Sequence, residues 1–210
     1  MKLATVAAAL ALLAIVVAGP LAYRAEKHRT YRNFRIVEDG VLYRSGQLSM
    51  AGFEDVVKSR GIRTVIKLRE SSDKDRDQRT DAAEEAYCKA NGLVFIRREP
   101  RDWEPDATGY VPAIENLHWF EDLIDDPVKA PRPVLIHCFA GIHRTGALVA
   151  VYRMKYHGWS ADEAVEELKE CGHETSTFVG NMLPYLRKYE PKHRWVPLAP
   201  LANTPHGTHP

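Results

Sequence analysis

The stretch PVLIHCFAGIHRTGALVA, residues 133–150, sets Cys138 at the end of an apolar run, with five residues between it and Arg144. A thiol and a guanidinium at that spacing can act on a phosphate ester if the loop between them turns its backbone N–H groups toward one centre. Ala140 and Gly141 are small enough to allow that turn. A nest of N–H groups at a helix N-terminus binds a tetrahedral oxyanion, and Arg144 adds a planar fork matched to two phosphate oxygens. The same positive field favours the thiolate form of Cys138. A thiolate held under a bound phosphate is an in-line nucleophile. Attack gives a phosphocysteine that water then hydrolyses. On this reading Phe139, Ala140, Gly141, Ile142, His143, Arg144 and Thr145 hold the substrate, and the Thr145 hydroxyl donates to the sulfur as it leaves. His137 orders the loop rather than moving protons.

The surrounding sequence supplies elements to position this loop. NFRIVEDGVLYRSGQ reads as a hairpin about Asp39-Gly40. SMAGFEDVVKSRGI places Phe53, Val56 and Val57 on one helical face and stops at Gly61. IRTVIKL, LVFIR and PVLIHC are strands by their β-branched runs. SDKDRDQRTDAAEEAYCKANG reads as a solvated helix in which Cys88 packs, and VPAIENLHWFEDLI as a helix with Pro112 in its first turn. RTGALVAVYRMKYHG is an apolar helix stopped by Gly158. Ser160 and Glu163 then form a capping box, and a last helix runs from about Thr177 to Tyr189. Helices alternate with strands after the hairpin. The expected fold is therefore α/β, a mostly parallel central sheet flanked by helices. In such sheets ligands bind at the carboxyl ends of strands, where Cys138 stands.

HCFAGIHRTG resembles the signature loop of the cysteine-dependent protein tyrosine and dual-specificity phosphatases, and GVLYRSGQ and GIRTVIKLRE stand upstream in the order expected for them. The resemblance is to the bacterial dual-specificity-type branch and its plant and fungal atypical relatives, over about Asn33 to Gly172. It implies the cysteine-based phosphatase fold, Cys138 as nucleophile, Arg144 on the phosphate, and no metal or cofactor. These families supply the leaving-group proton from an aspartate on a mobile loop. That loop here is REPRDWEPDATGY, where Asp102 and Asp106 both qualify; Asp102 is preferred because it lies nearer the strand end. His143 is a departure, since most dual-specificity loops carry Ser or Gly there. The HRTG ending is similar to the atypical branch, some of whose members act on inositol pyrophosphates, but Ile142 stands where that branch has a basic residue. The implied substrate is a phosphorylated protein. An inositol phosphate, inositol pyrophosphate or phosphoinositide is the alternative, and a phosphate-binding module without turnover the second alternative. Arg44 and Gln47 are expected to brace the hairpin against the sheet, Arg69 and Glu70 to form a structural ion pair, and Trp103 to shape entry or pack the loop.

The net charge of +1 gives no global basic field for nucleic acid. Three cysteines, Cys88, Cys138 and Cys171, have neither disulfide-framework nor zinc spacing. Residues 1–23 are nearly all apolar, long enough for a single-pass transmembrane anchor, with a cleaved signal peptide as the rival reading. RAEKHRTYRNFR follows, and its positive charge favours keeping the domain on the cytoplasmic side of a bacterial inner membrane. The expected organisation is an N-terminal hydrophobic helix (1–23), a basic linker (24–32), the phosphatase domain (33–190) and a Pro/His-rich tail (191–210).

Overall fold

Short runs of β-branched and apolar residues build five short strands: β1 (Arg35–Glu38), β2 (Leu42–Ser45), β3 (Thr64–Lys67), β4 (Val94–Arg97) and β5 (Val134–His137). The computed structural model describes the backbone of residues 2–69, 78–172 and 181–192, and their side chains except at 2–11, 14, 15 and 78–80. The strands form one mixed sheet of order β1-β2-β5-β3-β4. β1 and β2 are the antiparallel hairpin about Gly40, whose φ is 71°, and the β2–β5, β5–β3 and β3–β4 pairs are all parallel. The helices are α1 (Lys2–Thr30), α2 (Met50–Arg60), α3 (Gln78–Ala90), α4 (Ile114–Ile124), α5 (His143–Tyr156), α6 (Ala161–Glu170) and α7 (Met182–Leu186).

The period-2 alternation of the strands decides which helices meet which side chains. Leu42, Ile66, Val134 and Ile136 join a core with α4, α5, α6 and α7. Tyr43, Val65 and Leu135 point the other way, into a second core with Phe53, Val56 and Val57 of α2 and Cys88 of α3. Continuing the alternation, Lys67 and His137 end β3 and β5 on the α3 side, while Cys138 joins the α5 side. α2 ends at Gly61 in the left-handed region (φ 61°), and α6 begins with both halves of the Ser160–Glu163 capping box. α7 covers only Met182–Leu186, and the expected start of that helix at Thr177 lies outside the described residues, as do Glu70 and most of the Pro/His-rich tail.

The N-terminus departs from expectation. α1 is helical through Thr30, so the basic stretch at 24–32 continues a helix for most of its length. Among the described residues no helix is long and apolar enough to cross a membrane, so a spanning segment is not supported. Pro20 lies within α1, and Arg24, Glu26, Lys27 and Arg29 charge its last turns. That leaves a described apolar run short of the ~20 residues a bilayer requires. Many of the side chains on which the expected span rested (1–11, 14 and 15) lie outside the description.

Candidate active site

The loop from Cys138 to His143 joins the end of β5, a central strand, to the first turn of α5. Three consecutive carbonyls of this loop are each held by a donor from outside it. The Gln47 backbone N–H donates to the Phe139 oxygen at 2.8 Å. Asn33 Nδ2 donates to the Ala140 oxygen at 2.8 Å. Arg44 Nη2, on a buried guanidinium, donates to the Gly141 oxygen at 2.8 Å. In a trans peptide the C=O of one residue opposes the N–H of the next. Pinning the three carbonyls outward therefore turns the N–H groups of residues 140, 141 and 142 the opposite way, toward the Cys138 side. The Gly141 N–H donates to Cys138 Sγ at 3.2 Å, as this arrangement requires. The result is a cluster of N–H groups about the thiol at the start of a helix, the arrangement that binds a tetrahedral anion.

Two glycines let β2 approach the loop this closely. Gly141 has φ 72°, and a Cβ there would run into the backbone of Ser45 and Gly46. A Cβ on Gly46 would lie 2.8 Å from the carbonyl oxygens of both Phe139 and Ala140. Gly46→Ala is expected to push the loop off its donors. It should lower turnover of an aryl phosphate at least about tenfold while costing about 1–3 kcal/mol of stability, the range for overpacking; parallel turnover and thermal melts read the two effects. Arg44 and Gln47 thus brace the phosphate loop rather than only the hairpin. Their role, and that of Asn33, follows from a strand order that the sequence does not display.

Arg144 lies in the first turn of α5 and lines a pocket with Pro100, Arg101 and Trp103 of the aspartate-bearing loop. Trp103 packs on the α5-side core and on Tyr185, with ring centroids 6.1 Å apart. Asp102, next to Trp103, is exposed; its Oδ1 accepts from the Glu104 N–H at 3.0 Å. Asp106 is more heavily engaged. Its Oδ1 accepts from Thr108 N–H (2.8 Å), Thr108 Oγ1 (2.6 Å) and Tyr110 N–H (3.1 Å). The Thr108 bonds hold its carboxyl below the usual aspartate range, which favours the ionised form that has no proton to give. Thr145 is fully buried, and its Oγ1 has no hydrogen-bond partner among the described residues. Burial, with Arg144 next to it, holds the His143 imidazole below the ordinary histidine range.

Beneath the loop lies a buried ion cluster that the sequence reading placed in solvent. Lys67 Nζ sits 2.5 Å from Asp81 Oδ1 and 2.6 Å from Glu84 Oε2. Glu84 Oε1 accepts from Gln47 Nε2 at 2.5 Å, and Arg69 Nη1 is 3.3 Å from Asp81. His137 Nε2 is 3.5 Å from Glu84, and burial pushes the imidazole down from its ordinary pKa, so the ring is neutral. Asp81 and Glu84 lie one helical turn apart on α3, but that they face the Lys67 end of β3 depends on the tertiary packing and has no local signal in the sequence. Arg69 thus pairs with Asp81. Cys88 is the packing residue expected, its thiol pushed up to about 12 by burial.

A family model described as DSP-PTPase phosphatase fused to NAD+ kinase matches residues 24–181. The dual specificity protein phosphatase TpbA of Pseudomonas aeruginosa (strain UCBPP-PA14) is 30% identical over 92 residues, 38% of this chain and 40% of TpbA. Inositol diphosphatase DSP2 of Arabidopsis thaliana is 25% identical over 170 residues, 65% of this chain and 61% of its own length. The core catalytic domain of the PP-IP phosphatase SIW14 from S. cerevisiae shares the fold. Its TM-score is 0.55 at 19% identity, over 77% of this chain and 87% of that one. The chain spans less than two thirds of the length of the curated relatives it matches.

Proposed function

The chain belongs to the DSP-PTPase family of cysteine-dependent phosphatases, and from that premise we propose that it hydrolyses phosphomonoesters of proteins through a phosphocysteine intermediate. The observation that carries this reading is the loop whose carbonyls at Phe139, Ala140 and Gly141 are all held outward, leaving N–H groups gathered about Cys138. Substrate phosphate binds those N–H groups and the Arg144 fork. Cys138 Sγ attacks phosphorus in line, the bond to the leaving oxygen breaks, and Asp102 gives that oxygen a proton. Asp102, now a carboxylate, takes a proton from the water that attacks the phosphocysteine, and the buried Thr145 hydroxyl donates to the departing sulfur.

The assignment of Asp102 rests on its lighter engagement compared with Asp106 and on its position beside the Arg144 pocket. Asp102→Asn is expected to lower kcat about 100-fold on an alkyl phosphate, the usual scale for a lost general acid. A nitrophenyl phosphate, whose leaving group needs no proton, should lose far less. Equal losses on both esters would remove Asp102 from the mechanism.

A second reading, an inositol phosphate or pyrophosphate as substrate, is favoured by the similarity to DSP2 and by a half-buried, neutral His143 beside Arg144. Against it stand the apolar Phe139 and Ile142 in the loop itself. The test is phosphate release by the full chain from phosphotyrosine and phosphoserine peptides, a phosphoinositide and an inositol pyrophosphate. Release from peptides supports the first reading. Release from inositol compounds alone moves the function to the second, and no release at all leaves a phosphate-binding module.

A further inference from the structure

The basic run that follows the apolar N-terminus is folded onto the catalytic loop. Tyr31 Oη donates to Asp55 of α2 at 2.9 Å. The Arg32 carbonyl accepts the Gly46 N–H at 2.7 Å. Asn33, in the left-handed region at φ 47°, donates its side-chain amide to Ala140 at 2.8 Å. The backbone at 31–33 is thereby fixed both to the turn after β2 and to the phosphate loop. The Arg32 side chain is not fixed in the same way. Its guanidinium lies 4.2 Å over the ring of Phe139, the residue after Cys138, and has no carboxylate partner among the described residues. Phe139 is 37% exposed, at the rim of the loop. Behind Arg32, His28 and Arg29 line an open groove with Met50, Arg29 already paired with Glu26 at 2.5 Å.

The loop's own side chains Phe139, Ala140 and Ile142 carry no charge. Any charge selection next to the reacting phosphate must then come from outside the loop. Arg69 also lies over Phe139, at 5.5 Å, but it is buried and sits against Asp81. Arg32 is half-buried at the rim and can swing from the Phe139 face onto a ligand with its backbone already in place, so little ordering entropy is lost on binding. A groove headed by Arg32 and lined in part by the apolar Met50 suits an extended chain carrying acidic and apolar side chains rather than a compact polyphosphate.

We propose that Arg32, at the head of this groove, forms a subsite for an acidic residue flanking the phosphorylated residue of a protein substrate. This rests on the protein phosphatase reading above. Two phosphotyrosine peptides, identical except for Glu or Gln on either side of the phosphotyrosine, test it with the full chain at low salt. The readout is the ratio of kcat/KM between the two peptides within each variant, so a general loss of activity cancels. Wild type is expected to prefer the Glu peptide about 3- to 10-fold, the range between an exposed and a partly desolvated charge pair. Arg32→Ala brings the ratio to near one, Arg32→Lys retains most of it, and Arg32→Glu inverts it. If the variants fold poorly, raising the salt on wild type alone should shrink the ratio, because rim charges are screened. A ratio near one in wild type, or one unchanged in Arg32→Ala, overturns the subsite. Turnover of a small aryl phosphate but of neither peptide overturns it too, while leaving phosphatase activity standing. Loss of all turnover would bring down both readings.

Discussion

Cys138→Ser should reduce phosphate release from every substrate by more than about a thousandfold, because an alcohol at this position is neither ionised nor a comparable nucleophile. The change replaces one buried side chain by another of nearly the same size, at 4% exposure, so the circular dichroism spectrum and melting temperature should stay close to wild type. The loop N–H groups and Arg144 remain, so the variant should still bind substrate and can be used to capture it. Cys88→Ser, in the same assay, should leave turnover within about twofold: burial pushes that thiol up to about 12, and it packs against α2 away from the loop. Retention of more than a tenth of the activity in Cys138→Ser would end the nucleophile assignment.

Lys67→Met is expected to cost about 3–5 kcal/mol, the range for removing one partner of a buried ion set. Lys67 has no exposed surface, and it contacts both Asp81 and Glu84 at salt-bridge distance. Methionine fills the space but takes away the ammonium that both carboxylates face, leaving Arg69 on Asp81 and Gln47 and a neutral His137 on Glu84. For a domain of this size the loss corresponds to a fall in melting temperature of roughly 6–20 °C. Catalysis should suffer as well, since Gln47 is held by Glu84 through its side chain and holds Phe139 through its backbone. Adding Glu84→Leu to Lys67→Met should recover part of the stability, because it withdraws one of the stranded charges. A single variant that melts within a degree or two of wild type would mean that the cluster is hydrated and contributes little.

The elements and the catalytic loop were legible in the sequence because their signals are local. The Asp39-Gly40 turn, the Gly61 stop, the capping box at Ser160 and the Cys-to-Arg loop each depend on residues a few positions apart, and each is found where expected. What was not legible depends on which strands are neighbours. Arg44 and Gln47 brace the loop because β2 lies beside β5, and Lys67 meets α3 because β3 flanks β5 on the other side. Asp81 and Glu84 read as solvent-facing charges because nothing local reveals that a lysine at a strand end will neutralise them. Position along the loop favours Asp102 over Asp106 only by its nearness to the strand end; the turn bonds that engage Asp106 with Thr108 and Tyr110 are a feature that spacing does not reveal.

The position of β5 also has a consequence for how the chain is made. Leu42 of β2 and Thr64 of β3 both pair with Val134, so the sheet's middle strand is contributed by a segment synthesised long after its two neighbours. Until residues 134–137 leave the ribosome, the β1–β2 hairpin and the β3–β4 pair are two separate half-sheets. Each has an open apolar edge of the kind that invites wrong pairing. Closing the gap requires contacts of large sequence separation, which makes this the slow step of folding. The same event carries Cys138 to its place, since the thiol follows the inserting strand directly. A nascent chain therefore gains its reactive centre only when the sheet is complete, and a chain that stalls half-folded exposes sticky strand edges without exposing an assembled catalytic loop.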